Sequence, residues 1–154
     1  MKNEQAEFSN LDKVFWPEEG ITKGDLLNYY QHIAPYILPY LKNRPLSLKR
    51  NPNGIKDEGF YQKDAAEIAP DWIKTAEIYA ESAEKIVHYL VCNNIKSLLF
   101  IANLGCIEMN PWNSIVSKQD YPDYLVIDID PSAKNSFDEV IDVALAVKEV
   151  LDKA

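Results

Sequence analysis

Two aspartates, Asp128 and Asp130, form the pattern in this sequence that is most typical of catalysis. They lie at the end of the apolar run 124–129, directly before Pro131. Residues two apart on a β-strand project from the same face, so the two carboxylates repel each other unless a cation lies between them. Mg²⁺ or Mn²⁺ held in this way serves phosphoryl or nucleotidyl transfer. The pattern equally fits a strand that ends in a solvated acidic turn, and both interpretations stay open on local grounds.

Length and composition fit one globular domain. The chain has 154 residues, of which 47% are hydrophobic, enough to bury a substantial core. The polar N-terminus lacks the apolar core of a signal peptide, and no apolar run reaches the roughly 20 residues of a membrane span. Cys92 and Cys106 lie in apolar surroundings, so we expect reduced core residues rather than a disulfide. A cytoplasmic protein is therefore predicted.

The charge is distributed unevenly along the chain. The net charge of −8 by itself argues against a nucleic-acid partner. Residues 1–63 nevertheless contain nine basic and eight acidic side chains, whereas residues 64–154 contain seven and sixteen. A basic region followed by an acidic half suits a site where phosphates meet metal ions, and it also fits charges scattered over a solvated surface.

Periodicity and capping residues predict the elements that position the aspartates. We expect a mobile arm over residues 1–10, and a helix over residues 23–42 that Thr22 caps and that Pro35 and Pro39 kink or divide. Further helices are predicted over residues 94–104 and after Ser136. Strands are predicted over residues 46–50 (an edge or half-buried strand), 59–63, 73–79, 85–91, 106–110 and 123–130. This order predicts an α/β (α+β) fold with a mixed, largely antiparallel sheet and flanking helices.

Several segments are linked in one order along the chain. They are residues 11–17 (LDKVFWP), 21–23 (ITK), 29–30 (YY), 44–54 (RPLSLKRNPNG), 59–63 (GFYQK), 108–114 (EMNPWNS) and 123–131 (DYLVIDIDP). Together they resemble the polymerase domain of bacterial DNA ligase D, a member of the archaeo-eukaryotic primase superfamily. The resemblance covers nearly the whole chain from Leu11, and it implies that residues 11–154 adopt a primase-polymerase-like fold.

The resemblance implies an enzyme that adds nucleotides, preferably ribonucleotides, to DNA ends during non-homologous end joining. Asp128 and Asp130 match the first two metal ligands, which hold Mn²⁺ or Mg²⁺ against the triphosphate and the primer 3′-hydroxyl. Lys13 and Lys23 match basic residues that bind the 5′-phosphate at the far side of a gap. Lys23 also lies in the first turn of a predicted helix, where backbone N–H groups and the helix dipole favour a phosphate.

Three more residues match the nucleic-acid face of that family, and a fourth departs from the family pattern. Phe60 matches an aromatic residue that stacks on the template base, and Arg50 and Lys63 would line the same face. Each also fits a structural interpretation, with Phe60 in the core and the two basic residues in solvent. Asn110 lies close to the incoming nucleotide in the resemblance, where many relatives have histidine. Asparagine can donate and accept hydrogen bonds, but it cannot carry charge.

The resemblance extends only over the N-terminal half of the polymerase domain, so the fold is expected to be incomplete. The Ser-x-His segment and the third carboxylate that follow in the family are not found here. We therefore expect weak or no nucleotidyl transfer by this chain alone. The implied partners are gapped or 5′-phosphorylated DNA ends, NTP or dNTP in the full domain, and the ligase and nuclease domains, Ku or a second chain that supplies the missing half. No membrane partner is expected.

Two other functions remain compatible with these residues. One is a non-catalytic module that binds 5′-phosphorylated DNA ends. The other is a haloacid dehalogenase-like phosphatase, in which Asp128 would be the nucleophile and Asp130 a general acid. That family places its Asp-x-Asp near the start of the fold, whereas here the pair lies near the end of the sequence.

Overall fold

The chain divides into two compact units, Met1–Asp123 and Tyr124–Ala154. The computed structural model describes residues 7–153. The predicted mobile arm over residues 1–10 falls mostly outside these residues and stays a prediction. No helix among the described residues is both long and apolar enough to span a membrane.

The first unit begins with a two-stranded antiparallel sheet and a long helix. Strand β1 (Val14–Trp16) pairs with β2 (Ile21–Thr22), and α1 (Lys23–Leu41) follows without a break. The predicted capping box is confirmed, because the Thr22 hydroxyl accepts the Asp25 N–H and the Asp25 carboxylate accepts the Thr22 N–H. The local sequence therefore fixes where α1 begins.

Pro35 and Pro39 do not divide α1, so of the two predicted outcomes, a kink or two shorter helices, the second is wrong. Both prolines lie on the exposed face of the helix. Carbonyl groups that lose a backbone donor on this face can hydrogen-bond to water instead. The opposite face is buried and contains Leu27, Tyr30 and Ala34, so tertiary packing keeps the helix continuous.

A five-stranded antiparallel sheet forms the centre of the first unit. Its strands are β3 (Pro45–Arg50), β4 (Phe60–Gln62), β5 (Thr75–Ala80), β6 (Lys85–Val91) and β7 (Cys106–Pro111), with α2 (Ile95–Asn103) before β7. Strand β3 pairs with β7 along most of its length and with β4 and β6 at its two ends. The alternation predicted for this segment is correct. Of the two predicted settings, an edge strand or a half-buried strand, the edge strand is wrong, because β3 has neighbours on both sides.

The two faces of the sheet contain different apolar clusters. One face packs against α1 and α2 and contains the larger core, which includes Leu46, Leu98 and Ile101. The opposite face contains a smaller apolar cluster of β5 and β6, where the Tyr89 and Trp112 rings meet edge to face at 5.3 Å. Both cysteines are buried and free, as predicted.

The second unit lacks the strand predicted over residues 123–130. Residues 124–136 belong to no helix or strand in the described structure, and Leu125 and Val126 are exposed. A strand needs a neighbour that supplies ladder hydrogen bonds, and the described residues of this unit contain no other strand. Its helix α3 (Phe137–Leu151) is confirmed, with Ser136 and Glu139 forming a capping box.

Candidate functional site

Three basic side chains of the first unit converge on one polar pocket. Lys13 precedes β1, Lys23 is the first residue of α1, and Arg50 ends β3. They line a cavity of about 330 Å³, here called the basic pocket, together with polar groups that include Asn53 and Asn103. The structure thus brings together three residues that lie far apart in the sequence and were predicted to bind DNA.

The ammonium group of Lys13 is held by the turn that follows β3. Its Nζ donates to the Pro52 carbonyl at 2.7 Å and to Asn53 Oδ1 at 2.6 Å. The turn itself packs closely against β1, since a Cβ at Gly54 would lie only 2.7 Å from the Phe15 carbonyl oxygen. Gly54 also has φ +94°, a backbone conformation that favours glycine. An ammonium group has three N–H donors, so one remains for a ligand.

Lys23 is buried with only 5% of its surface exposed. Its Nζ donates to the Ser9 carbonyl at 2.7 Å, and its backbone N–H donates to the Lys13 carbonyl at 2.8 Å. Burial, and after it the positive charge of Lys13, lowers the pKa of the Lys23 ammonium group. The N–H groups of the first three residues of α1 already donate to protein oxygens, so an anion would bind at the two ammonium groups, where it would relieve their repulsion. The basic pocket is therefore suited to a phosphate.

Arg50 connects the basic pocket to an exposed aromatic ring. Its Nε donates to the Leu104 carbonyl at 2.9 Å and its Nη1 to Gln62 Oε1 at 2.6 Å. Its Cζ lies 5.2 Å from the centroid of the Phe60 ring, a cation–π arrangement. Phe60 is 46% exposed, so it is not a core residue and its ring is accessible to a nucleic-acid base.

The remaining predicted residues of the first unit lie away from the basic pocket. Lys63 is exposed just after β4 and does not line the cavity. Asn110 lies opposite Ser47 in the β3–β7 ladder and is exposed. In the same ladder, Lys49 pairs with Glu108 at 2.8 Å, and this contact raises the pKa of the Lys49 ammonium group. Asn110 therefore belongs to a separate polar face of the sheet.

Sequence reasoning missed the acceptors that hold the two lysines. Asn53 appeared only within the segment 44–54 of the resemblance, although its side chain accepts a hydrogen bond from the Lys13 ammonium group. Ser9 contributes its backbone carbonyl, so no side-chain pattern could have revealed it. Lys49 was missed as well, and its signal was its place opposite Glu108 in the two strands.

Asp128 and Asp130 both lie in the segment 124–136 of the second unit, and both are exposed. Carboxylate oxygens are suitable ligands for a hard divalent cation. Within residues 7–153, however, no group of three or more histidine, cysteine, aspartate or glutamate side chains is arranged to hold a metal ion. The carboxylates of Asp128 and Asp130 are thus chemically suitable metal ligands, but they are only two.

Most of the chain is similar to one known protein family and to several characterised proteins. Residues 22–154 match the family described as "LigD, primase-polymerase domain". The bifunctional non-homologous end joining protein LigD of Bacillus subtilis is 33% identical over 149 residues, which cover 96% of this chain and 23% of that protein. The multifunctional LigD of Mycolicibacterium smegmatis is 29% identical over 96% of this chain and 19% of its own length.

A solved structure agrees with these sequence relatives. The polymerase domain of Mycobacterium tuberculosis ligase D, in complex with DNA, is similar with a TM-score of 0.67 and 30% identity. The similarity covers 72% of this chain and 38% of that chain. It confirms the predicted α/β fold with an antiparallel sheet, and it excludes the haloacid dehalogenase-like alternative. The chain belongs to the LigD primase-polymerase domain family.

Proposed function

We propose that the first unit binds the 5′-phosphate of a DNA end, as part of a domain that adds nucleotides to such ends in non-homologous end joining. The observation that carries this proposal is the convergence of the Lys13 and Lys23 ammonium groups with Arg50 in the basic pocket. The names of the relatives, which are non-homologous end joining proteins, and the DNA complex of the similar structure support it.

The contacts around the basic pocket suggest how a DNA end is held. Lys13 keeps one N–H donor for a phosphate oxygen while two protein oxygens fix its position, and Lys23 keeps donors while the Ser9 carbonyl fixes its position. Phe60 offers a ring on which a template base can stack, and stacking accepts every base because each has a π face. Arg50 supports that ring, and Lys63 supplies positive charge beyond β4 for the DNA backbone.

The polymerase domains of this family are nucleotidyltransferases that generally depend on divalent metal ions. We assign Asp128 and Asp130 as the ligands of Mn²⁺ or Mg²⁺ in this chain. The bound metal would neutralise charge on the triphosphate and on the attacking 3′-oxygen. Asn110, on the polar face of the sheet, would donate a hydrogen bond to the incoming nucleotide. With two carboxylates as the metal donors, the chain on its own supports weak or no nucleotide addition.

A second candidate function is DNA-end binding by a module that has no catalytic activity. The basic pocket is formed entirely within the first unit, whereas the metal donors assigned among the described residues are two aspartates of the second unit. Such a module would recognise 5′-phosphorylated ends and leave nucleotide addition to a second chain that supplies the missing half of the domain. The ligase and nuclease domains and Ku are further partners that we propose. In either case the DNA lies in the bacterial cytoplasm, where we place the protein.

Fluorescence anisotropy with gapped DNA tests the proposal. The 154-residue chain is titrated onto DNA with and without a 5′-phosphate at the far side of the gap. We expect at least about tenfold tighter binding of the phosphorylated DNA, since one charge-assisted hydrogen bond contributes about 1.5–3 kcal/mol and about 1.4 kcal/mol corresponds to a factor of ten in Kd. The variant Lys13→Ala/Lys23→Ala should lose this preference. The control Lys74→Ala/Lys153→Ala removes the same charge from exposed positions and should keep it.

Nucleotide addition is assayed on the same samples with Mn²⁺ and NTP. Phosphate-dependent binding without extension would support the binding-module function, and slow extension that requires Asp128 and Asp130 would support the polymerase function. Equal affinity for both DNAs would contradict the proposed role of Lys13 and Lys23. Rapid extension by this chain alone would contradict the expectation of weak activity.

A further inference from the structure

Asn103, the last residue of α2, connects that helix to the segment before β1. Its Oδ1 accepts the Ser9 N–H at 3.2 Å, and its Nδ2 donates to the Glu7 carbonyl at 3.2 Å. These contacts join residues that are 94 and 96 positions apart in the sequence. Asn103 also lines the basic pocket, although no pattern in the sequence singled it out.

The helix that presents Asn103 is firmly anchored. Asn94 caps its first turn, and Leu98 and Ile101 are fully buried in the larger core. A side chain amide on such a helix has a defined position, and both of its polar ends are engaged with one strip of backbone. Asn103 therefore holds residues 7–9 against α2 through two hydrogen bonds.

The same strip of backbone holds Lys23. The Ser9 carbonyl that accepts the Lys23 ammonium group, at 2.7 Å, belongs to the residue whose N–H donates to Asn103. A lysine side chain is flexible, so its ammonium group loses much rotamer freedom when it must meet a phosphate in one position. A fixed carbonyl reduces that loss, because it orients the ammonium group before the ligand arrives.

We propose that Asn103 is a positioning residue for 5′-phosphate recognition, which acts on Lys23 through Ser9. The inference rests on the proposed binding of the 5′-phosphate by Lys13 and Lys23. Asn103 fixes residues 7–9, these fix the Ser9 carbonyl, and the carbonyl fixes the Lys23 ammonium group in the basic pocket. Removal of the amide leaves the charge of the pocket unchanged and removes only its alignment.

The test compares the phosphate preference of variants, defined as the Kd for 5′-hydroxyl gapped DNA divided by the Kd for 5′-phosphorylated gapped DNA. Asn103→Ala should lower this ratio about threefold or more, with less than about a twofold change in the Kd for 5′-hydroxyl DNA. Asn103→Leu, which keeps a similar volume, should do the same and guards against an effect of lost packing. Asn28→Ala, at an exposed position of α1, is the matched control and should leave the ratio unchanged.

A double-mutant cycle separates this inference from the proposed function. If Asn103 acts through Lys23, then Asn103→Ala should lower the ratio by less than about 1.5-fold in a Lys23→Ala background. An unchanged ratio in Asn103→Ala, alongside a loss in Lys23→Ala, would overturn the inference and leave the proposed function standing. An equal loss of affinity for both DNAs would also overturn it, since that indicates a structural role. A wild-type ratio near one would overturn both.

Discussion

The basic pocket of the first unit and the aspartate segment of the second unit differ in how far the protein itself holds their charged groups. In the basic pocket, protein oxygens at 2.6–2.9 Å accept hydrogen bonds from Lys13, Lys23 and Arg50. Asp128 and Asp130 lie on a segment that has no ladder partner among the described residues of its unit. Side-chain and turn contacts can thus form a site for an anion before the anion binds. Two metal-binding carboxylates on a β-strand, in contrast, are positioned only when neighbouring strands pair with that strand.

The largest expected effect concerns the turn that holds Lys13. Gly54→Ala should lower the free energy of unfolding by about 3 kcal/mol, because the new Cβ would overlap the Phe15 carbonyl at a positive φ. Gly20 also has positive φ, but a Cβ added there would have no atom within 4 Å, so Gly20→Ala should cost only about 1 kcal/mol. Urea unfolding, followed by circular dichroism, measures both. Equal losses would show that the turn does not pack tightly on β1.

A smaller effect is expected for a carboxylate that the first unit holds in place. Asp64 accepts hydrogen bonds from Lys85 Nζ at 2.9 Å and from the Ala66 and His88 N–H groups. The Lys85 hydrogen bond is the main cause that lowers the pKa of the Asp64 carboxyl from 3.8 to about 2. Because the folded pKa is the lower one, the stabilisation is complete above about pH 4 and is lost as the pH falls towards 2.

Asp64→Asn therefore provides a pH-dependent comparison. At pH 7 the substitution should lower the free energy of unfolding by less than about 1 kcal/mol, since the pair with Lys85 is partly exposed. The difference between the variant and the wild type should shrink as the pH falls from about 4 to about 2. Urea unfolding at several pH values measures it, and a difference that grows on acidification would contradict the assignment.

The smallest effect on stability is expected in the aspartate segment. Asp128→Asn/Asp130→Asn should change the free energy of unfolding by less than about 0.5 kcal/mol, because neither side chain is buried. The same variant should abolish Mn²⁺ binding, which in the wild-type chain we expect at a Kd on the order of 1 mM for so few carboxylate ligands. Electron paramagnetic resonance of free Mn²⁺ measures this binding, with Asp138→Asn/Asp142→Asn as the charge-matched control. Micromolar binding by the wild type would indicate a more complete metal site.

Features encoded by neighbouring residues could be predicted from the sequence. Thr22 with Asp25 and Ser136 with Glu139 are three positions apart, so the starts of α1 and α3 were readable from local pattern alone. The alternation of β3 likewise revealed which of its side chains are buried. The strand predicted over residues 123–130 could not be judged in this way, because a strand forms only with a partner whose position no local pattern encodes.

The candidate site was predictable to a lesser degree, and by a different route. Lys13, Lys23 and Arg50 were singled out by the family resemblance, since an isolated lysine has no distinguishing pattern. Their convergence required the fold, because α1, β3 and the segment before β1 meet only in three dimensions. The Ser9 carbonyl and the Asn103 amide required side-chain geometry, which no spacing rule supplies.

The position of Arg50 has a consequence for the energetics of the proposed DNA contacts. One guanidinium group both lines the basic pocket and supports the Phe60 ring. A ligand that moved the Arg50 guanidinium group towards the basic pocket would weaken its cation–π contact with Phe60. A base stacked on Phe60 would in turn restrict the guanidinium group and change how it contacts a ligand in the pocket. Thermodynamic linkage makes these two influences equal in free energy. Under the proposed function, the phosphate and the template base would therefore bind as a coupled pair rather than as independent contacts.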